Sequence, residues 1–97
     1  MRVIQSAHGR IEWRGGQAGS AELFNLVASD PGQGHGPALL ARVFGVMRRE
    51  GYSYVYLFSE GRNAAAHRFF ERNGFRRLAE IEGFYTHDSG VLFGRAL

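Results

Sequence analysis

Residues 20–40 read SAELFNLVASDPGQGHGPALL. The opening segment, Ser20–Ala28, is an apolar run of strand length whose polar members are Glu22 and Asn25. Asp30 to Gly36 is glycine-rich, and Pro37 suits the first turn of a helix. Leu39, Leu40, Val43, Phe44 and Met47 then recur at helical spacing. Arg48 and Arg49 fall in the last turn, where cations complement the helix dipole, and Gly51 suits the C-terminal cap. The stretch therefore predicts a strand, a glycine turn and a helix over 37–50. Residues 52–58, YSYVYLF, are aromatic and β-branched and predict a further strand. A helical crossover of this kind makes the two strands parallel neighbours.

The flanks complete an α/β pattern. Residues 1–14 alternate loosely and predict a hairpin broken near Gly9, with a turn at Gly15, Gly16 and Gly19. Asn63 is placed to cap a second helix over 64–72, and Gly74 to end it. Phe75 to Tyr85 reads as a strand, Thr86 to Gly90 as a turn and Val91 to Arg95 as a last strand paired back as a hairpin. The predicted order is β-β-β-α-β-α-β-β, a mixed sheet in one domain.

Composition narrows the classes of function. The chain has 97 residues, 14 glycines and no cysteine, so disulfide frameworks, thiol catalysis and cysteine-zinc sites are excluded. That length fits one core rather than two. No apolar run reaches the roughly 18 residues of a membrane span. No secretory leader pattern precedes the first strand. A cytoplasmic setting is the expectation. All positive charge is arginine, and the net charge is +3.

A strand that feeds a glycine turn opening a helix is suited to anions, because orphan N–H groups and the positive dipole end meet there. Gly32, Gly34 and Gly36 let backbone approach a phosphate closely. The dinucleotide form G-x-G-x-x-G fails, since Leu39 stands where the third glycine would be. The Walker form fails because the chain has no lysine. Taken alone, the loop reads equally well as a tight strand-to-helix turn without a ligand.

A second segment decides between these readings. Gly34-His35-Gly36-Pro37-Ala38-Leu39-Leu40 is followed, one strand later, by Asn63-Ala64-Ala65-Ala66-His67-Arg68-Phe69-Phe70-Glu71-Arg72-Asn73-Gly74-Phe75. Together they resemble the GCN5-related N-acetyltransferase superfamily, over about residues 20–97. Leu23 to Leu26 and the C-terminal Phe84, Tyr85 and Val91 to Phe93 resemble its ribosomal-protein-alanine branch in particular. The resemblance implies an N-acetyltransferase that moves an acetyl group from acetyl-CoA to a primary amine by direct attack in a ternary complex. It implies that the amides of Gly34, His35 and Gly36, flanked by Gln33, Pro37 and Ala38, hold the CoA pyrophosphate. Pantetheine would lie along Leu26, Val27 and Ala28 where two parallel strands splay, with an N–H near Val27 as oxyanion donor. Asn63, Ala66, Phe69, Phe70 and Arg72 would complete the cofactor contacts. Glu22 would serve as base, with Glu60 as a weaker candidate. The other reading of Glu22, and the slightly favoured one, is an ordinary solvent-facing strand glutamate.

The sequence departs from the family pattern in three places. Pro31 stands where an arginine or glutamine usually precedes the turn. Phe70 occupies the place of the usual acid tyrosine, and a phenyl ring cannot protonate a thiolate. Tyr85 is the nearest substitute, with His67 as an alternative that otherwise reads as a surface helix residue. The strand and helices that usually precede residue 20 are replaced by a hairpin, so a homodimer is expected to complete the acceptor side.

Other features have ordinary explanations. The arginines around both helices could meet CoA phosphates or nucleic acid, but solvated helix faces explain most of them, and nucleic acid is not the expected partner. Tyr52, Tyr54 and Tyr56 would share one strand face, as in base-stacking sheets or a half-buried surface. His8, His35, His67 and His87 have no ligand spacing, so no metal is expected. Two other functions stay open: a non-catalytic CoA-binding module and a small basic nucleic-acid-binding domain.

Overall fold

The computed structural model describes residues 1–97. Its elements are β1 (Arg2–Ser6), β2 (Gly9–Gly15), β3 (Ser20–Ala28), α1 (His35–Arg49), β4 (Tyr54–Glu60), α2 (Ala64–Arg72), β5 (Arg76–Tyr85) and β6 (Asp88–Ala96). This is the β-β-β-α-β-α-β-β order of the sequence reading. The strands form one mixed sheet in the order β1-β2-β3-β4-β6-β5. The crossover through α1 makes β3 and β4 the parallel pair. The chain divides into two units, Met1–Val55 with Leu97, and Tyr56–Ala96.

In the first unit β1, β2 and β3 form an antiparallel meander. Strand alternation puts Ile11 and Trp13 of β2, and Ala21 and Leu23 of β3, into the core. Leu39, Leu40, Val43, Phe44 and Met47 form the buried stripe of α1. Each such side chain contributes about 1.5–3 kcal/mol by leaving water. Arg2 closes the outer side, its guanidinium 4.7 Å from the Trp13 ring centroid while it donates to the Glu50 carboxylate. That bond and the neighbouring charge hold the Glu50 carboxyl below its usual range.

One irregularity was not legible in advance. Glu12 pairs with Asn25 but Trp13 pairs with Leu23, so Phe24 is an extra residue in β3. Such a bulge bends its strand and resets which side chains face inward. After it Leu26, opposite Ile11, lies on the core side, and Val27 is 65% exposed.

Both helices end alike. Gly51 N–H donates to the Arg48 carbonyl and Tyr52 N–H to that of Met47. Gly74 N–H donates to Glu71 and Phe75 N–H to Phe70 in the same way. The first closure corrects the expected start of the fourth strand. Tyr52 is spent on ending α1 and packs edge-on against Trp13 at 5.8 Å, so only Tyr54 and Tyr56 lie on β4.

In the second unit Leu57, Phe75, Val91 and Phe93 make the core. The strand β4 runs on through Ser59 and Glu60, two residues past its expected end at Phe58, and Gly61 N–H donates to the Ser89 carbonyl at 2.9 Å. The hairpin turn is shorter than expected. Tyr85 pairs with Asp88, so β6 begins at Asp88 rather than Val91. The register shifts twice along β5, and Phe84, between Ile81 and Tyr85, stacks on Phe58 at 4.7 Å.

Candidate active site

The glycine turn lies in the first unit, directly after the carboxyl end of β3. Gly34 is the N-cap residue of α1, with φ of 79°, and no side chain caps the helix. A left-handed residue here lets the chain turn sharply from the loop into the helix. The helix begins at His35, two residues before the expected start, so Pro37 is its third residue. Ala38 N–H donates to the Gly34 carbonyl. Pro37 has no N–H to offer. The amides of Gly34, His35 and Gly36 therefore precede the first intrahelical bond, at the positive end of a 15-residue helix. A Cβ built on Gly34 meets open space. Gln33 is exposed, and its N–H closes the turn onto the Asp30 carbonyl.

The end of β3 can be resolved to individual amides. Ser29 N–H donates to the His8 carbonyl at 2.8 Å, which makes those two residues a bonded pair. Antiparallel ladders alternate bonded and non-bonded pairs. Arg10 and Val27 are then the next bonded pair, and Val27 points its N–H at β2. The N–H groups of Leu26 and Ala28 point to the opposite edge. An amide directed away from β2 near Val27 is therefore that of Leu26 or Ala28.

Glu22 is not a free strand carboxylate. It accepts from Arg14 Nε at 3.1 Å and from Arg14 Nη2 at 2.9 Å, across the Arg14–Glu22 register pair. A base at this position would have to work beside a paired guanidinium.

In the second unit Asn63 caps α2 as expected, its Oδ1 accepting from Ala66 N–H at 3.1 Å. That leaves its Nδ2 amide to donate elsewhere. The Phe70 ring lies among Phe69, Phe75 and Phe93, with centroids 5.5–5.8 Å away. Arg72 is exposed in the last turn. Tyr85 is half-buried at the end of β5, and burial, followed by the charge of Glu60, pushes its hydroxyl pKa up. Arg62 ties the two ends of this region together. Its N–H donates to Asp88 at 2.9 Å and its guanidinium to the His87 carbonyl at 3.2 Å.

Two histidine expectations are corrected. His67 is buried rather than on the surface. Its Nε2 hydrogen-bonds the Glu60 carbonyl at 2.9 Å and its ring packs on Phe93. His8 and His35 are distant in sequence, yet their rings stack at 4.0 Å with Asp30 beside them. Spacing could not show this, because the β1–β2 turn and the β3–α1 loop meet only in the folded chain.

The model of the acetyltransferase (GNAT) family matches residues 11–75. The chain belongs to the GNAT family. No curated protein matches it. Among solved structures it is similar to Ard1 from Thermoplasma volcanium, with a TM-score of 0.84 at 20% identity over 93% of this chain and 63% of that one. It is similar to the ribosomal-protein-S18-alanine N-acetyltransferase of Escherichia coli, with a TM-score of 0.79 at 22% identity over 96% of this chain and 64% of that one. It is also similar to a Bacillus subtilis acetyltransferase solved in complex with CoA, with a TM-score of 0.85 at 12% identity over 98% of this chain and 74% of that one. At these identities the likeness is one of fold. The chain spans less than two-thirds of the length of the first of these. No single branch of the GNAT family dominates among the similar structures. No helix is long and apolar enough to cross a membrane.

Proposed function

We propose that this GNAT chain is an acetyl-CoA-dependent N-acetyltransferase that acts on a primary amine by direct attack in a ternary complex. The observation that carries the reading is the uncapped start of α1, three amides wide, directly after β3. The pyrophosphate of the co-substrate would accept from Gly34, His35 and Gly36. The pantetheine arm would follow the carboxyl end of β3, where the N–H groups of Leu26 and Ala28 are directed away from β2. One of these amides would stabilise the tetrahedral oxyanion as the amine adds to the thioester carbon. The thiolate leaves as the C–S bond breaks, and Tyr85 is assigned as its proton donor. Glu22 is assigned to take the proton from the acceptor ammonium. Among acceptors, likeness to the ribosomal-protein-alanine branch favours a peptide N-terminus. A cytoplasmic setting suits a chain without cysteine.

Binding only the native state stabilises by about 2.7 kcal/mol at a hundred dissociation constants of ligand. Acetyl-CoA is therefore expected to raise the melting temperature by several degrees at saturation. No shift at millimolar ligand sinks the reading. CoA release with a panel of amines and peptides then measures transfer. Phe70 favours a second reading, a CoA-binding module without catalysis, which predicts the thermal shift but no release.

A homodimer is part of the proposal. The strand β5 is a sheet edge, and it exposes Leu78, Ile81 and Phe84 at 50%, 37% and 42%. Bare apolar edges invite pairing. Light scattering at micromolar concentration is expected to give twice the chain mass, and a strictly monomeric mass removes the dimer.

A further inference from the structure

Three metal-binding side chains converge beside the glycine turn. His8, Asp30 and His35 each offer one ligand atom, and these atoms lie within 4.8 Å of one another. We propose that His8, Asp30 and His35 form a binding site for a divalent transition metal of the zinc class. This goes beyond the acetyl-transfer reading and does not depend on it.

The backbone holds the three residues in place. His8 lies in the turn between β1 and β2. Its carbonyl accepts from both Ser29 N–H, at 2.8 Å, and Ser29 Oγ, at 3.1 Å. Its own N–H donates to Ser6 Oγ at 3.2 Å. Gly9 allows this close seat. A methyl group there would overlap the Val27 carbonyl oxygen and come within 2.7 Å of Leu39 Cδ1. Asp30 follows Ser29 directly and has a φ of 52°, a left-handed conformation that aspartate adopts more readily than most residues. Its carbonyl closes the loop by accepting from Gln33 N–H at 3.2 Å. His35 is the first residue of α1. The β1–β2 turn thus delivers one ligand and the β3–α1 connection two, with His8 and Asp30 tied by their main chains and His35 set by the start of α1.

The donor set selects the metal class. Two imidazoles and one carboxylate suit zinc, nickel or cobalt, whereas magnesium and calcium prefer oxygen alone. Three protein ligands leave a fourth tetrahedral position for water or an anion. Metal–ligand bonds of about 2.0–2.1 Å put tetrahedral ligand atoms about 3.3 Å apart. The observed spacing has to contract by an ångström or so. His8 and Asp30 are exposed and His35 is half-buried, so rotation of side chains supplies it without moving the backbone. The two rings now stack at 4.0 Å and 5°, and turning them out of parallel aims both lone pairs at one point.

The test uses the untagged full chain and Zn2+ alone, followed by calorimetry and by the imidazole resonances of all four histidines. Saturable binding at one equivalent is expected, with shifts at His8 and His35 and none at His67 or His87. Even loss of an outer-shell partner typically costs 10–100-fold in metal affinity. His8→Ala and Asp30→Asn are each expected to weaken binding by at least about tenfold. Asparagine tolerates the left-handed conformation, so the second variant keeps the loop. His87→Gln is expected to bind as the parent does. Binding that does not saturate below about 1 mM, or a His8→Ala protein that binds Zn2+ like the parent, overturns the site. Neither result touches the acetyl-CoA thermal shift, so the two proposals fail separately.

Discussion

Gly34→Asp is expected to weaken acetyl-CoA binding at least about 100-fold while the protein stays folded. The substitution puts a carboxylate at the N-cap of α1, where the proposed pyrophosphate would rest. Space is not the obstacle, since a Cβ at Gly34 meets nothing within 4 Å. The φ of 79° costs a non-glycine residue about 1–2 kcal/mol. A negative charge at a helix N-terminus returns about 0.3–1 kcal/mol. The melting temperature should therefore fall by only a few degrees. The ligand suffers far more. Two unit charges about 4 Å apart repel by about 4 kcal/mol at an effective dielectric of about 20. Salt screens part of this, and about 3 kcal/mol of lost binding is a factor above 100. Gly34→Asn separates charge from backbone strain, and its affinity should fall by no more than about tenfold. Isothermal titration of both variants decides the matter. An aspartate variant that binds like the parent removes the anion site from this turn.

The readability of this fold followed the range of the interactions involved. The strand Ser20–Ala28 and the helix Ala64–Arg72 have the expected limits. Their signals are local: an apolar run closed by glycines in one case, and the Asn63 cap with Gly74 in the other. Where the structure differs, backbone pairing that residue type does not encode had intervened, some of it between close neighbours in the chain. The closure of α1 onto Met47 consumed Tyr52, and Tyr85 pairing with Asp88 pulled the last strand back by three residues. The Phe24 bulge is set by how β3 meets β2, and no residue near Phe24 announces it. The same rule governs the site. The glycine turn was legible because all its parts are consecutive. Arg14 on Glu22, burial of His67 and the meeting of His8 with His35 depend on strand register and loop packing. Composition and spacing carry no trace of them.

Tyr85→Phe is expected to lower kcat about 100-fold and to leave the KM for acetyl-CoA unchanged. General acids contribute about 10²–10⁴, and a thiolate leaves readily, so the lower end applies. For this work the phenol must be protonated. Burial raises the Tyr85 pKa first and the charge of Glu60 raises it further, above an ordinary value of 10.0. The proton is therefore present at every pH below that range and is lost only above it. Turnover between about pH 7 and 9 should show no decline from this group, and Glu60→Gln should move the alkaline limb to lower pH. A purely structural Tyr85 would not shift that limb. Phe70→Tyr supplies the complementary test. The ring has three aromatic neighbours and is only half-buried, so an added hydroxyl can reach solvent at modest cost. That variant should preserve or raise turnover, and in the Tyr85→Phe background it should recover part of the loss. If Tyr85→Phe turns over like the parent while Phe70→Tyr clearly lowers CoA release, the proton comes from elsewhere and the alignment of α2 with the family helix is wrong.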